Sequence, residues 1–156
     1  MKKVFFLAVL PLLFLGCVKS NNGSQACTDV SAASEEAQII AYCNANGITY
    51  TKDPSGIYYQ VLSLGTSPHP NTSSKITVDY TGKLLNGSIV DKNTVPYTNY
   101  LNQLIEAWQI AIPLIGTGGH IVMVAPSSLC YGCYGAAPTV PSNSVLFFDI
   151  TLNKVE

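Results

Sequence analysis

The most reactive side chains in this sequence are cysteines, and two of them stand close together. Cys130 and Cys133 are separated by two residues, which is the spacing of a redox-active pair. The pair lies in a stretch rich in Gly, Ser and Pro rather than at the start of a helix, so the helix N-terminus that acidifies a catalytic thiol is missing. We therefore expect Cys130 and Cys133 either to form a small disulfide around Tyr131 or to stay free. Cys27 and Cys43 are the other candidate pair.

Metal, phosphate and nucleic-acid chemistry find little support. The two histidines, His69 and His120, are single and distant in sequence, so we expect no metal site and no cofactor. The chain has no Arg, the residue that usually clamps phosphate or carboxylate groups. Beyond Cys17 it carries six Lys against nine acidic residues, a formal charge of −3, so we expect no nucleic-acid partner.

The beginning of the chain has the pattern of an export signal. Lys2 and Lys3 precede an apolar run over 4–15, which is shorter than the roughly 20 residues that a membrane-spanning helix needs. The sequence of residues 14–17, Phe-Leu-Gly-Cys, resembles the bacterial lipobox, which implies cleavage before Cys17 and lipidation of that cysteine. An ordinary signal peptide with a chance cysteine is the alternative. No Asp follows Cys17, which favours the outer membrane, facing the periplasm, within the bacterial cell envelope.

Three segments follow from composition and periodicity. Residues 1–16 are the predicted signal peptide, 17–33 a flexible tether poor in large apolar residues, and 34–156 one globular domain with its core over about 56–155. At the start of this domain, Ser34 can cap a helix that ends near Gly47. Its apolar side, with Ile39 and Cys43, should dock on the domain.

The remaining pattern predicts an α+β domain. β-branched, aromatic or alternating runs predict strands over 57–62, 76–81, 121–125 and 145–152. Apolar residues recur at helical spacing from Leu101 to Leu114, which predicts one core helix limited by Pro113. Strands on both sides of a single helix indicate a mostly antiparallel sheet.

Four segments in this order carry a family resemblance: VDYTGKLLNGSIVD, LNQLIEAWQIAIPLIGTGG, VAPSSLCYG and VPSNSVLFFDITL. Together they resemble the FKBP family of peptidyl-prolyl isomerases over about residues 56–155. The resemblance implies an FKBP-like fold, in which a curved antiparallel β-sheet wraps around one short α-helix. In this chain an N-terminal helical extension precedes that core.

The resemblance also implies which residues form the site. It places Trp108 on the floor of an apolar pocket and assigns catalytic positions to Tyr80, Asp91, Trp108, Tyr131 and Phe148. It assigns substrate binding to Val90, Tyr97, Leu104, Ile105 and Val140. Val90 stands where the family usually has Phe, so we expect weaker catalysis and weaker macrolide binding. Outside this set, we expect Asp79 to face solvent and Asp149 to be a structural hydrogen-bonding group.

By this resemblance the chain is a peptidyl-prolyl cis-trans isomerase that acts on proline-containing polypeptides without covalent catalysis. The hydroxyl of Tyr131 and the backbone N–H of Ile105 would hydrogen-bond substrate carbonyls. A non-catalytic proline-peptide binding or chaperone module at the envelope is the alternative, whereas a purely structural lipoprotein would leave Tyr80, Trp108 and Tyr131 unexplained. We expect a monomer held at the membrane through Cys17.

Overall fold

A computed structural model describes residues 26–156. The predicted signal peptide, Cys17 and residues 17–25 of the predicted tether therefore lie outside the described residues. Among the helices of residues 26–156, none combines the length and the hydropathy needed to cross a membrane.

One antiparallel sheet of seven strands makes up most of the described chain. The strands are β1 (Thr51–Lys52), β2 (Tyr58–Ser63), β3 (Lys75–Leu84), β4 (Ile89–Lys92), β5 (Tyr97–Tyr100), β6 (Gly119–Ala125) and β7 (Leu146–Val155). Their order is β1-β2-β6-β7-β3-β4, and β5 also pairs with β3 beyond the end of β4. The predicted antiparallel α+β fold is confirmed, and β1, β4 and β5 are strands that the sequence analysis did not identify.

The central strands show the alternation expected of a sheet with two different faces. On β7, Leu146, Phe148, Ile150 and Leu152 are buried in the main core, whereas Phe147 points to the opposite face. β6 is buried over most of its length, because both of its faces are covered.

The predicted core helix over 101–114 is shorter in the structure. A 3₁₀ turn (Leu101–Gln103) comes first, then α2 (Glu106–Ala111), then a second 3₁₀ turn (Ile112–Leu114) that contains Pro113. Leu104 and Ile105 between them are extended, with ψ of 170° and 149°. The apolar spacing fits a continuous helix, but the chain leaves helical geometry at these two residues, which line the cavity described below.

The N-terminal helix α1 (Ala32–Ala45) covers the outer face of the sheet. Its cap is Ser31, whose side chain accepts from the N–H of Ser34, so the prediction that Ser34 caps the helix is wrong by one turn. Ile39 and Cys43 are fully buried against the sheet, which confirms the predicted docking side.

The cysteine pairing differs from both predicted arrangements. Cys27 forms a disulfide with Cys133, across 106 residues of sequence, while Cys43 and Cys130 are free thiols. Cys43 lies on the side of α1 that is buried against the sheet. The last part of the predicted tether, from Cys27 onward, is therefore attached to the domain.

Candidate active site

A cavity of about 110 Å³, lined mostly by aromatic and aliphatic side chains, opens beside α2. Eight residues line it, and all eight are among the predicted site residues. They are Tyr80, Asp91, Tyr97, Leu104, Ile105, Trp108, Tyr131 and Phe148. The sequence motifs therefore identified the lining of the cavity, although the roles assigned to its members stay predictions.

Aromatic rings in edge-to-face contact build the cavity around Trp108. The ring of Trp108 lies 4.9 Å from that of Tyr80 at an interplanar angle of 78°, and 5.7 Å from that of Phe148 at 89°. Such pairs contribute about 0.5–1.5 kcal/mol beyond the area they bury. Because α2 supplies Trp108, β3 supplies Tyr80 and β7 supplies Phe148, the three rings are fixed by the most regular elements of the domain.

Tyr80 joins the apolar floor to a carboxylate. Its hydroxyl donates to Oδ2 of Asp91 at 2.7 Å, and its ring lies 6.0 Å from that of Tyr97. Burial and the hydrogen bond to the charged Asp91 raise the pKa of Tyr80 well above the usual tyrosine range. Tyr80 therefore stays protonated, and Asp91 has a fixed donor at the rim of the cavity.

Asn93 fixes the chain between β4 and β5 and was missed by the sequence analysis. Its Oδ1 accepts from the backbone N–H of Tyr80 at 2.6 Å, while its Nδ2 donates to Asp79 Oδ1 and to the carbonyl of Val95 at 2.9 and 2.8 Å. An Asn directly after a strand, in a stretch with Pro, is a turn signal that could have identified it.

Tyr131 approaches the cavity from the loop between β6 and β7. Burial raises the pKa of Tyr131, and the charge of Asp91 adds to this, so the phenol remains a hydrogen-bond donor. Burial also raises the pKa of the neighbouring Cys130 thiol to about 12, with a further contribution from the charge of Glu35. A thiol held protonated in this way is a poor nucleophile.

The extended residues before α2 present both side chain and backbone to the cavity. Ile105 is the N-cap of α2, and its backbone N–H has no hydrogen-bond partner among residues 26–156. The carbonyl of Leu104 accepts from Nε2 of Gln109 at 2.8 Å, which holds this bend in place. Within the same described range, the buried Nε1 of Trp108 also lacks a partner.

Two predicted binding residues lie outside the lining. Val140 is 6% exposed and packs in the core, because its backbone pairs with that of Ala136 in both directions at 2.8 and 2.9 Å. Val90 is half-buried, and its Cγ2 would lie 3.6 Å from a Cβ added to Gly82 on the neighbouring strand. Val90 and Val140 are thus absent from the lining, whereas Asp91 and Tyr97 belong to it.

Two further aspartates of the sheet, Asp79 and Asp149, have structural partners. Asp79 is exposed, as expected, and hydrogen bonds first from Asn153 and then from Asn93 lower its pKa. Asp149 contacts Nε2 of His120 at 2.7 Å. Over residues 26–156 no group of three or more His, Cys, Asp or Glu side chains could hold a metal ion.

Comparison with known sequences identifies relatives of the whole domain. Residues 67–153 match the family model described as FKBP-type peptidyl-prolyl cis-trans isomerase. FkpA of Aeromonas hydrophila, named as such an isomerase, is 34% identical over 145 residues, which cover 88% of this chain and 53% of the relative. Outer membrane protein MIP of Legionella longbeachae is 33% identical over 106 residues, or 66% and 46% of the two chains. The chain thus spans about half the length of these curated relatives.

Solved structures show the same fold. The crystal structure of FkpA from Escherichia coli matches with a TM-score of 0.71 and 32% identity, covering 80% of this chain and 61% of that one. A peptidyl-prolyl cis-trans isomerase from Pseudomonas syringae matches with a TM-score of 0.69 and 27% identity, covering 83% and 98%. The residues matched by the family model include the entire cavity lining but neither α1 nor Cys27.

Proposed function

The chain belongs to the family of FKBP-type peptidyl-prolyl cis-trans isomerases, and on that premise we propose that its apolar cavity catalyses rotation about X-Pro bonds in polypeptides. The observation that carries this proposal is the cavity of Trp108, Tyr80 and Phe148 with the hydroxyl of Tyr131 at its edge. Such a cavity suits a proline ring together with the carbonyls beside it.

The chemistry requires no bond to be broken. Amide resonance gives the peptide bond a rotational barrier of about 18–20 kcal/mol, and uncatalysed X-Pro isomerisation takes about 10–100 s. In the twisted transition state the amide loses resonance and its oxygen carries less negative charge. A water-poor apolar cavity therefore disfavours the planar ground state more than the twisted state, and the barrier falls.

Polar groups at the rim would orient the twisted bond. The protonated hydroxyl of Tyr131 would donate to a substrate carbonyl, and the unpaired N–H of Ile105 would donate to another. Asp91, fixed by Tyr80, would face the polar edge of the bound peptide. Each contact is a hydrogen bond, so each contributes about 0.5–1.5 kcal/mol where it is stronger in the twisted state.

Relaxation of a cis Ala-Leu-Pro-Phe type peptide after a solvent jump tests this proposal. We expect the purified protein to accelerate relaxation and Trp108→Ala to abolish most of the acceleration. Tyr131→Phe should lower kcat/KM by about two- to tenfold, the loss of one hydrogen bond. Tyr134→Phe is the matched control, because this phenol belongs to the same loop but is 84% exposed.

The same measurement separates catalysis from simple binding. If the protein binds proline peptides but does not exceed the uncatalysed rate, it is a binding or chaperone module and the catalytic proposal is wrong. If Tyr134→Phe lowers kcat/KM as much as Tyr131→Phe, the site has been misplaced. A macrolide that binds this cavity should compete with the peptide and protect Trp108 from a fluorescence quencher.

We also propose that the domain acts on exported proteins from a lipid anchor at Cys17. The lipobox-like sequence of residues 14–17 supports the anchor, and a relative named as an outer membrane protein supports the location in the bacterial envelope. Metabolic labelling with an alkyne fatty acid in a Gram-negative host tests it. We expect the protein to carry the label and the Cys17→Ser variant to carry none. A protein that stays unlabelled, with Cys17 unmodified, would refute the anchor.

A further inference from the structure

The loop that carries Tyr131 is attached, on both sides of that residue, to residues that precede the region matched by the family model. Glu35, in the first turn of α1, is 3% exposed, and its Oε2 accepts from the backbone N–H of Ser127 at 2.8 Å. Ser127 itself is fully buried and lies four residues before Tyr131. Among residues 26–156, Oε1 of Glu35 is buried without a hydrogen-bond partner, so the contact through Oε2 is the one that offsets the cost of burying this carboxylate.

On the other side of Tyr131 the loop is held by Asp29 and by the disulfide. Asp29 Oδ1 accepts from the backbone N–H of Cys133 at 2.6 Å, and Cys133 is bonded to Cys27. The carboxylate of Asp29 also packs on Gly132, where an added Cβ would lie 2.3 Å from its Oδ1. Gly132 has φ of +53°, so glycine suits both the backbone and the close approach.

These three links lie on both sides of Tyr131 and come from outside the region that the family model matches, which begins at residue 67. We propose that the N-terminal segment Cys27–Glu35 is a positioning element for Tyr131, with Asp29 and Glu35 as its positioning residues. This inference rests on the proposed function, in which the Tyr131 hydroxyl meets the substrate. Catalysis depends on such placement, since a displacement of about 1 Å can cost up to about 100-fold in rate.

Nuclear magnetic resonance of tyrosine ring carbons tests whether the N-terminal segment positions Tyr131, and it does so without an activity measurement. The Tyr131 signal is the one that disappears in Tyr131→Phe. We expect it to shift or broaden in Asp29→Ala and Glu35→Ala, and to keep its position in Asp29→Asn and Glu35→Gln, whose amide oxygens can still accept from the same N–H groups. Glu36→Ala is the control, because Glu36 contacts Lys52 and Tyr58 and not this loop.

Isomerase kinetics test the functional half through a double-mutant cycle. Asp29→Ala should lower kcat/KM by about three- to tenfold when Tyr131 is present and by less than about twofold in the Tyr131→Phe background. A general loss of stability would reduce both backgrounds equally. Asp29 is exposed, so its variants should fold even where Glu35→Ala does not.

Two results would overturn the inference. One is an unmoved Tyr131 signal in both Asp29→Ala and the Cys27→Ser/Cys133→Ser protein. The other is equal loss of kcat/KM in the two backgrounds. If the unmodified protein has no isomerase activity, the proposed function fails, while the ring-carbon signals still decide whether the segment holds Tyr131.

Discussion

Two adjacent phenylalanines on β7 offer a matched test of which face of the sheet acts on substrate. Phe148 lines the cavity and lies 5.7 Å from the ring of Trp108, whereas Phe147 lies 5.7 Å from the ring of Tyr42 under α1. Each Phe therefore makes one aromatic pair at the same distance, but only one of them faces the cavity. Changing each to Leu removes an aromatic pair and keeps an aliphatic group.

The expected loss of stability is similar for both variants. An aromatic pair is worth about 0.5–1.5 kcal/mol, and a swap of large apolar residues usually costs less than about 1.5 kcal/mol in packing. We expect each variant to lose about 1–2 kcal/mol in the free energy of unfolding. For a domain of this size that corresponds to a fall in Tm of about 3–8 °C, measurable by calorimetry.

The expected loss of activity differs between the variants. Phe148→Leu removes aromatic contact with the bound proline, worth about 0.5–1.5 kcal/mol, so kcat/KM should fall by about two- to tenfold. Phe147→Leu should leave kcat/KM within about twofold of the unmodified protein, measured well below the Tm of both variants. Equal losses of kcat/KM would show that activity follows stability alone, and the assignment of the cavity as the site would be refuted.

Three further predictions follow from the same geometry. Asp91→Asn should lower the pKa of Tyr80 in an absorbance titration, because the charged acceptor is lost, yet leave it above the usual value near 10, because burial is the larger cause. Since the pKa of Tyr131 is raised, kcat/KM should be constant from about pH 7 to pH 10 and fall only as Tyr131 loses its proton. A decline in kcat/KM centred near pH 8 would contradict the role of Tyr131 as this donor. The raised pKa of Tyr131 also contributes to the free energy of unfolding, and this contribution is complete below about pH 10 and lost above it. Gly82→Ala should lower kcat/KM and cost about 1–3 kcal/mol of stability in denaturant titration, because its Cβ would lie 2.9 Å from Cε1 of Phe148 and displace that ring.

Much of the fold could be predicted because its central elements carry strong periodic patterns. Buried and half-buried residues alternate along most of β7 and along the first half of β3, and the sequence indicated both strands. The edge strands β4 and β5 were not predicted, since their side chains are mostly exposed and only pairing with β3 makes them strands. Such elements depend on tertiary context rather than on their own residues.

The cavity could be predicted from motifs, whereas the cysteine pairing could not. Most lining residues occur in short segments, and each segment can be recognised in the sequence by its residue types, its spacing and its order along the chain. Cys27 and Cys133 are joined only because α1 and the segment before it fold back over the sheet, and nothing local to either residue indicates that path. The two-residue spacing of Cys130 and Cys133 suggested a local bond, but Cys133 pairs with Cys27, and Cys130 is a free thiol whose pKa burial raises.

Some cavity residues are held by core packing and others by a hydrogen-bonded loop. This difference determines at which residues a substitution should change activity without changing stability. Trp108 and Phe148 belong to the main core, so we expect substitutions there to change stability and kcat/KM together. Tyr131 lies on a loop held through backbone N–H groups by Asp29 and Glu35, and its hydroxyl meets no core residue by hydrogen bond within the described chain. If the proposed positioning of Tyr131 is right, variation in the N-terminal segment shifts the donor while the apolar walls stay in place. We expect substitutions at Asp29 to change kcat/KM at nearly constant Tm, the reverse of what Phe147→Leu should do.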